Sequence, residues 1–539
     1  MMDRNLDTAA ASLFISRVDC FRVPRHTKTW LSTLDPVRRA SSPWLSIARF
    51  KCRAQESALT SEGRLWRNKK VREKVFMECK RWNCALIALS LFLILPRFPN
   101  NASSQTLAVK PYGSIIGSRL PGSGTEDDKQ RAFIRWAREN AIPLKTVEAG
   151  NGFTDISRIA DIVNGSQIVA LGEATHGSRE FFQLKHRMIE FLATQEGFSV
   201  FAIEANMPEA YRMNNFVLHG EGDPKQLLRG MYFWTWNTQE VLDLVLWMRE
   251  FNQSGKGRIE FTGFDMQNPA MAIGIVKNYV QQQEPAYLSH VQSVYDTVQM
   301  VKSSRSPAQS VDLKQLAKDC GLIEKHLDQS RGLSSTPPVI EPEWAIQMAR
   351  LVQQWVQMQG GEKSREESMA ENLEWIARRS PGTKLVVWAH NGHVTYDGDS
   401  YKPMGGYLKE AFGPRLVTFG FVFNRGSFRA LDGTNGTREV TIGPAPQGSL
   451  DHALASTGIP WFALDLRRLA QNSQAAQWAS EPHLSRSIGA VYAGPDDPST
   501  TVEVPVNRRF DAILFVNETS ASRPNQLPDG HLKVNSAPY

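Results

Sequence analysis

Residues 166–173 read SQIVALGE, a short apolar run that ends in a glycine and a carboxylate. Similar runs recur along the chain as FSVFAIEA (198–205), RIEFTGFD (258–265), TKLVVWAH (383–390), RLVTFGFVF (415–423) and FDAILFVN (510–517). Segments of helical period, beginning with residues 129–141, separate these runs. This alternation is typical of parallel strands joined by crossover helices. The sequence therefore predicts an α/β fold with a mostly parallel central sheet flanked by helices.

Between residues 269 and 379 the strand signal is weak, whereas the helix signal is strong, as in AIQMARLVQQWVQMQ. This pattern predicts a large helical insertion or lid packed beside the sheet. Residues 131–520 are therefore expected to form one catalytic domain, and residues 521–539 are expected to form a tail.

The N-terminal region has the layout of an export signal. Residues 84–95 read CALIALSLFLIL, with Lys80 and Arg81 before them and a polar, small-residue stretch after them. This run is shorter than the roughly 20 residues of a membrane span, so residues 77–104 are predicted to be a signal-peptide-like segment. An uncleaved anchor or a buried core helix remains the alternative. We further expect translation to begin at Met77, residues 1–76 to be a basic extension of doubtful status, and residues 105–130 to be a linker.

The charge distribution argues against a nucleic-acid partner. The chain contains 62 Lys and Arg against 55 Asp and Glu, but residues 1–76 hold 16 of the basic and 7 of the acidic residues. The rest therefore carries 46 basic and 48 acidic residues, which leaves no basic domain to bind phosphates. Only Cys320 of the five cysteines lies in the catalytic region, so a cysteine-rich zinc site is excluded there.

Candidate catalytic residues stand at the ends of the predicted strands, where open parallel sheets bind their ligands. The candidates are Glu173, His176, Glu204, Asp265, His390 and His393. Each of them has a structural alternative, such as Asp265 as a turn cap, Glu204 as a buried hydrogen-bonding group, and His393 as a core histidine. His176 is the strongest candidate, because it follows Glu173 by three residues in a glycine-bounded loop.

Further candidates lie near the predicted strand ends. Lys185 falls on the apolar face of the helix that follows His176, so its amine either reaches solvent or points into the site, and we favour the site. Asp265, Trp234 and Trp236 are candidates for substrate binding, although such tryptophans more often belong to a core.

The sequence leaves two ways to activate water. A G-x-S-x-G nucleophile motif is absent, and Cys320 lies away from every predicted strand end, which argues against a covalent serine or cysteine hydrolase. A general base or a bound metal can activate water with the residues that remain. HEXXH is also absent, whereas Glu173 is well spaced to orient the His176 imidazole.

Several motifs together resemble the erythromycin esterase family. They are GEATHGSREFFQLKHRMIEFL (172–192), FAIEANMPEAYRMNNFVLHG (201–220), FTGFDMQ (261–267), REESMAEN (365–372), VVWAHNGHV (386–394) and FDAILFV (510–516). Members of that family hydrolyse the lactone ester of macrolide antibiotics, and many other members have no established substrate. The resemblance covers residues 131–520.

This resemblance implies a role for each matched residue. His176 corresponds to a base that activates water without a required metal or other cofactor, and Glu173 and Glu204 correspond to essential carboxylates. His390 and His393 correspond to a pair that binds or protonates a substrate oxygen. Lys185 stands where at least one member carries arginine, which makes an oxyanion contact plausible. The implied partner is a small ester or lactone, and no stable membrane partner is expected after signal cleavage.

Two other classes stay open. A metal-dependent hydrolase would use the same histidines and carboxylates as metal ligands. A protein related to cell-envelope polysaccharide would have no esterase activity.

Overall fold

The computed structural model describes residues 125–304, 311–334, 337–398, 400–431, 436–495 and 497–525. The predicted extension (1–76), the signal-peptide-like segment (77–104) and most of the predicted linker lie outside these ranges. Among the residues that the structure describes, no helix combines the length and the apolar composition needed to cross a membrane.

A nine-stranded sheet forms the centre of the fold. Its members in chain order are β1 (Ile142–Pro143), β2 (Ile168–Leu171), β3 (Val200–Asn206), β4 (Glu260–Asp265), β5 (Leu385–Trp388), β6 (Leu416–Leu431), β7 (Thr437–Ile442), β8 (Trp461–Asp465) and β11 (Ala512–Thr519). The strands β9 (His483–Arg486) and β10 (Thr501–Val504) form a separate antiparallel pair. The strand order is β1-β8-β11-β6-β2-β5-β3-β4, with β7 paired to β6. From β11 to β4 every neighbouring pair is parallel. The predicted mostly parallel α/β sheet is therefore confirmed.

The sheet packs between two helical layers because its strands are apolar on both faces. In β2, Ile168 and Ala170 join one core cluster, whereas Val169 and Leu171 join the other. The helices outside the insertion are α1 (Glu126–Asn140), α2 (Ile159–Val163), α3 (Arg179–Gln195), α4 (Met207–His219), α5 (Pro224–Gly230), α6 (Gln239–Gln253), α12 (Asn391–Val394), α13 (Met404–Phe412), α14 (Leu450–Ala455), α15 (Gln474–Ala479) and α16 (Val506–Arg509).

The predicted helical insertion is confirmed. Its described residues form α7 (Ala270–Gln283), α8 (Leu288–Ser303), α9 (Leu313–Gln329), α10 (Pro342–Gln359) and α11 (Arg365–Arg378), and they contain no strand. Buried residues of these helices, such as Met348 and Leu373, belong to the same core cluster as Ile168 and Ala170 of β2. The insertion therefore packs as a structural layer against one face of the sheet.

Two features were not predicted from the sequence. The strand β8 runs antiparallel to β11, and β11 lies between β8 and β6. Residues beyond the predicted boundary at 520 also pack on the domain, because Ala521 pairs with Ser178 and Pro524 pairs with Thr238. Arg523 adds a 2.8 Å ion pair with the buried carboxylate of Glu240. The packed chain thus extends a few residues into the segment that was predicted to be a tail.

Candidate active site

The loop after β2 holds the Glu173–His176 pair in a fixed geometry. His176 Nδ1 lies 2.7 Å from Glu173 Oε1, and Glu173 is fully buried. The loop can turn here because Gly172 has no side chain: a Cβ at this position would lie 2.1 Å from Asn391 Oδ1. Since Nδ1 is bonded to the carboxylate, Nε2 is the nitrogen left to accept a proton. The side chain of His176 keeps 11% of its surface exposed, so the ring borders solvent.

The second oxygen of Glu173 is also occupied. Oε2 accepts hydrogen bonds from Lys185 Nζ at 2.7 Å and from Trp388 Nε1 at 2.8 Å. Lys185 has no exposed surface, and its ammonium lies 4.4 Å from the centre of the Trp388 ring. Burial lowers the pKa of Lys185 to about 8, against the attraction of Glu173. Lys185 therefore holds the Glu173 carboxylate in this structure, and its contact with an oxyanion stays a prediction.

Glu204 makes no hydrogen bond to the His176 ring among the described residues. Instead it links the backbone of His390 to the side chain of Arg365. Its Oε2 accepts the His390 backbone N–H at 3.0 Å, and its Oε1 accepts Arg365 Nη2 at 2.8 Å. The pairing of β3 with β4 shifts register between Ile203 and Asn206, and a bulge of this kind re-aims a side chain. The bulge needs Gly263, where a Cβ would lie 2.3 Å from Ala205 O. Burial raises the pKa of Glu204, but the charges of His393 and Arg365 outweigh it and hold the pKa well below its usual range.

Arg365 is a site residue that the sequence analysis did not single out. It is the first residue of α11, whose N-terminus is capped by Ser364 Oγ, and its side chain reaches out of the insertion to the sheet. Its Nη2 also donates to Asp265 Oδ2 at 2.7 Å. The sequence did contain a sign of its importance, since REES opens one of the motifs quoted above. The helical period of that segment, however, gave no reason to place this arginine at a strand end.

The structure does not bring Asp265 to an accessible surface. Its carboxylate is fully buried and accepts hydrogen bonds from Arg365 and from the Met266 backbone N–H at 2.8 Å. A contact between Asp265 and a substrate therefore stays a prediction, since protein donors occupy its carboxylate in this structure. Asp265 instead holds the Arg365 guanidinium beside Glu204.

His393 is a charged link between the same elements. Its Nδ1 lies 2.8 Å from Glu366 Oε1, and its Nε2 lies 3.2 Å from Glu204 Oε1. Burial lowers the pKa of His393, but the two carboxylates outweigh burial and raise the pKa to about 10. The imidazolium therefore donates Nε2–H to Glu204, and the 3.2 Å approach of Arg365 Nη1 to the same nitrogen is not a hydrogen bond in this state. Glu366 is a second residue that the sequence analysis missed.

His390 stands beside His176, with ring centres 5.0 Å apart. Its Nδ1 accepts the Gly392 N–H at 3.1 Å, so the neutral ring carries its proton on Nε2. Among the described side chains, His390 Nε2 is a buried atom without a hydrogen-bond partner. Burial and the nearby charge of His393 hold the pKa of His390 well below its usual range. The site thus presents a neutral imidazole donor next to an imidazole acceptor.

The two tryptophans occupy different positions. Trp236 is 1% exposed, packs edge-on against His176 at 6.2 Å and donates from Nε1 to the Glu204 carbonyl at 3.0 Å. Trp236 therefore packs against the His176 imidazole in this structure, and its contact with a substrate stays a prediction. Trp234 is half-buried, and its contact with a substrate stays a prediction.

Possible metal ligands gather elsewhere in the fold. Among the described residues, the group whose ligand atoms all lie within 4.8 Å of one another consists of Glu126, Glu481 and His483. None of them belongs to the His176 cluster, whose carboxylates are bonded to Lys185, Trp388, Arg365 and His393. The carboxylates around His176 thus already accept hydrogen bonds from protein side chains in this structure.

Comparison with known proteins agrees with these motifs. Residues 193–519 match the family described as Erythromycin esterase. The chain is 23% identical over 432 residues to erythromycin esterase type II of Escherichia coli, which covers 72% of this chain and 98% of that protein. It is 24% identical over 441 residues to the putative hydrolase YbfO of Bacillus subtilis (strain 168), covering 75% and 95% of the two chains.

Solved structures share the fold. A crystal structure described as a succinoglycan biosynthesis protein superposes with a TM-score of 0.64 at 25% identity, covering 75% of this chain and 100% of the other. A mutant of erythromycin esterase EreC in its open conformation superposes with a TM-score of 0.51 at 15% identity, covering 70% and 96%. The second likeness concerns the fold alone.

Proposed function

The chain belongs to the erythromycin esterase family, and from this premise we propose that it is a hydrolase that cleaves a carboxylic ester or lactone with water activated by His176. The observation that carries the proposal is the 2.7 Å bond between His176 Nδ1 and the buried Glu173 carboxylate. A carboxylate in this position fixes the tautomer and stabilises the imidazolium that forms when Nε2 takes a proton.

The proposed reaction uses the two neighbouring imidazoles in different roles. His176 Nε2 removes a proton from water, and the hydroxide oxygen bonds to the carbonyl carbon as the carbonyl π electrons move to its oxygen. His390 Nε2–H donates a hydrogen bond to that developing oxyanion. When the intermediate collapses, the bond to the alcohol oxygen breaks and His176 returns its proton to that oxygen. The products are a carboxylic acid and an alcohol, which stay in one molecule when the substrate is a lactone.

Glu204 and Arg365 support this chemistry without a direct role in bond breaking. Glu204 holds the His390 backbone N–H at 3.0 Å, and Arg365 ties Glu204 to the insertion at 2.8 Å. A shift of this network would move the oxyanion donor relative to the base, and displacements of about 1 Å can reduce rates by about 10²-fold. We therefore assign Glu204 as a positioning residue for His390.

Macrolide lactones are the first substrates to test, because the Escherichia coli relative is an erythromycin esterase. A second candidate function is favoured by the likeness to the succinoglycan biosynthesis protein. In that case the chain would act in cell-envelope polysaccharide chemistry and would show no esterase activity.

A base-removal experiment tests the proposal. His176→Asn should reduce kcat by at least about 10²-fold on nitrophenyl esters or on erythromycin, because a general base typically contributes about 10²- to 10⁴-fold. The control is His219→Asn, which changes an exposed histidine at the end of α4 and should leave kcat unchanged. Near-normal kcat in His176→Asn would make His390 the next candidate base. A wild-type protein that hydrolyses no ester and binds polysaccharide would select the second candidate function.

We also propose that the enzyme works outside the cytoplasm, on the sequence pattern of residues 77–104. Expression from Met77 in a bacterial host should yield an exported protein trimmed near residue 105, and N-terminal sequencing would show the cleavage site. Recovery of the untrimmed protein in the cytoplasm alone would overturn this proposal.

A further inference from the structure

Three possible metal ligands meet where the first helix of the domain packs beside β9. Glu126 is the first residue of α1, Glu481 follows α15, and His483 is the first residue of β9. One ligand atom of each residue lies within 4.8 Å of the other two. The segments are far apart in the chain, and they meet because Phe133 of α1 packs on Trp478 of α15 with ring centres 4.3 Å apart. These three residues are called the Glu126 cluster below.

His483 is held so that one ring nitrogen keeps an open lone pair. The residue is 8% exposed, and its ring stacks on Trp478 with ring centres 3.7 Å apart. Its Nε2 lies 2.7 Å from the Trp478 carbonyl oxygen, so Nε2 carries a proton and donates it to that oxygen. In the neutral ring the lone pair is then on Nδ1, which has no hydrogen-bond partner among the described residues. Histidines that bind metals share this arrangement, in which a carbonyl or carboxylate accepts the other ring N–H.

The two carboxylates bring negative charges close together. Burial and the neighbouring Glu481 carboxylate raise the pKa of Glu126. The Glu126 and Glu481 side chains are 61% and 38% exposed, so both can rotate to place an oxygen on an ion. Asp127 and Asp128 also lie in the first turn of α1, and their charges together with that of Glu126 outweigh the positive end of the helix dipole. The cluster therefore attracts a cation although it lies at a helix N-terminus.

A lysine ammonium lies between the two carboxylates. Lys129 Nζ is 2.5 Å from Glu481 Oε1 and 3.8 Å from Glu126 Oε2. The Lys129 side chain is 20% exposed, and partly exposed ion pairs of this kind contribute little to stability. The flexible side chain can therefore turn toward solvent. The ammonium marks a position that favours positive charge, and a metal ion that binds there has to displace it.

The donor set determines which kind of cation fits. One imidazole nitrogen and two carboxylate oxygens suit zinc and similar transition-metal ions, whereas calcium and magnesium prefer oxygen ligands. We propose that Glu126, Glu481 and His483 Nδ1 bind Zn²⁺ or a chemically similar divalent ion, which displaces the Lys129 ammonium. The ion would tie the start of α1 to β9. This site is structural, and it is independent of the hydrolysis proposed at His176.

Calorimetric titration of the full-length protein with zinc chloride tests the site. The wild type should bind one more equivalent of zinc than Glu126→Gln, which changes an exposed side chain and should not disturb the core. The two proteins are compared because the cysteines before residue 85 can also bind zinc, and they are the same in both. Glu139→Gln is the matched control, because it makes the same change at an exposed position near the other end of α1. Equal zinc binding by the wild type and Glu126→Gln would overturn the proposal.

Replacement of Lys129 should have the opposite effect. Lys129→Met should tighten the Kd for zinc by about fivefold, because the ion no longer competes with an ammonium. Arg135→Met removes a positive charge from an exposed position of the same helix and should leave the Kd nearly unchanged. An unchanged Kd in Lys129→Met would contradict the displacement. Zinc that binds to Lys129→Met but not to the wild type would show that the lysine closes the site in the natural protein, and this result would also overturn the proposal.

Thermal unfolding and hydrolysis distinguish this site from a metal at the catalytic residues. Saturating zinc should raise the unfolding midpoint of the wild type by at least about 2 °C more than that of Glu126→Gln, because an ion that binds only the folded state stabilises it. EDTA should reverse this rise and leave hydrolysis well below the midpoint unchanged. If no ester is cleaved, the zinc titrations still decide whether the site exists. Zinc binding that is lost in His176→Asn and kept in Glu126→Gln would assign the ion to the catalytic residues and would refute the site.

Discussion

Replacement of Glu173 by glutamine separates the electrostatic role of this residue from its structural role. The carboxylate accepts hydrogen bonds from His176, Lys185 and Trp388, all between 2.7 and 2.8 Å. Glutamine keeps the shape and one acceptor oxygen but removes the charge. We expect kcat to fall by at least about 10²-fold, because the imidazolium loses the anion that stabilises it.

The stability cost follows from Lys185, which has no exposed surface and loses its charged partner. Breaking a buried ion pair typically costs about 3–5 kcal/mol. Lys185 can release its proton instead, because burial already lowers its pKa to about 8 and the loss of the Glu173 charge lowers it further. With the weakened hydrogen bonds of Trp388 and His176 added, we expect Glu173→Gln to lose about 2–4 kcal/mol of unfolding free energy.

A double variant provides the matched control. Glu173→Gln combined with Lys185→Met removes both charges, and the methionine sulfur can pack on the Trp388 and Phe421 rings that now surround the ammonium. Replacing a buried pair by apolar groups is often neutral or stabilising, so the double variant should recover at least half of the lost stability. Its kcat should stay low.

Urea unfolding followed by tryptophan fluorescence and kcat on the same ester provide the two readouts. In Glu173→Gln, the folded pKa of Lys185 falls further below its unfolded value, so the unfolded state binds more protons and stability rises with pH between those values. The double variant should lack this rise. Normal kcat in Glu173→Gln, or recovered kcat in the double variant, would refute the role of Glu173 as the anion that supports His176.

Three further predictions follow from the same geometry. Hydrolysis should survive prolonged EDTA treatment. If elemental analysis instead finds one tightly held equivalent of metal, and its removal abolishes turnover, the metal-dependent class is favoured. His390→Ala should reduce kcat by about 10²- to 10³-fold, as loss of an oxyanion donor does, and His390→Gln, which keeps an N–H donor, should lose less; equal losses would contradict the donor role. His393 has a folded pKa of about 10 against an ordinary 6.5, so its stabilisation is complete below 6.5 and is lost as pH rises through 10. The unfolding free energy of the wild type should therefore fall more between those pH values than that of His393→Gln, and parallel pH profiles would contradict the ion-pair network.

The parallel part of the sheet could be predicted because its signal is local. Each inner strand contains a short apolar run, and β2 is buried at all four positions. In contrast, β1 has only two residues and β7 has only one buried residue, so neither produces a run that stands out from a loop. The strand β8 is apolar, but its antiparallel direction depends on a connection that no local pattern encodes.

The strand-end rule predicted which residues lie close together but could not assign the contacts among them. It placed Glu173, His176, Glu204 and His390 at one edge of the sheet, and the structure brings all four together there. Spacing alone could not show that Glu204 bonds to His390 and Arg365 rather than to His176. Likewise, the helical face of Lys185 was predicted correctly, but its partner depends on how α3 docks beneath the catalytic loop.

The helical insertion is coupled to the proposed chemistry through Arg365 and Glu366. Arg365 joins Glu204 and Asp265 from two different strands, and Glu366 holds His393 while it also accepts the Met404 backbone N–H at 3.0 Å. A movement of α11 against the sheet would therefore break these charged hydrogen bonds. The Arg365 side chain that makes them is only 24% exposed to solvent. Breaking them would release Glu204, and with it the backbone of His390, which carries the proposed oxyanion donor. The insertion is thus a part of the machinery that positions the site, and substitutions in α11 far from His176 should change kcat through His390 rather than through the base.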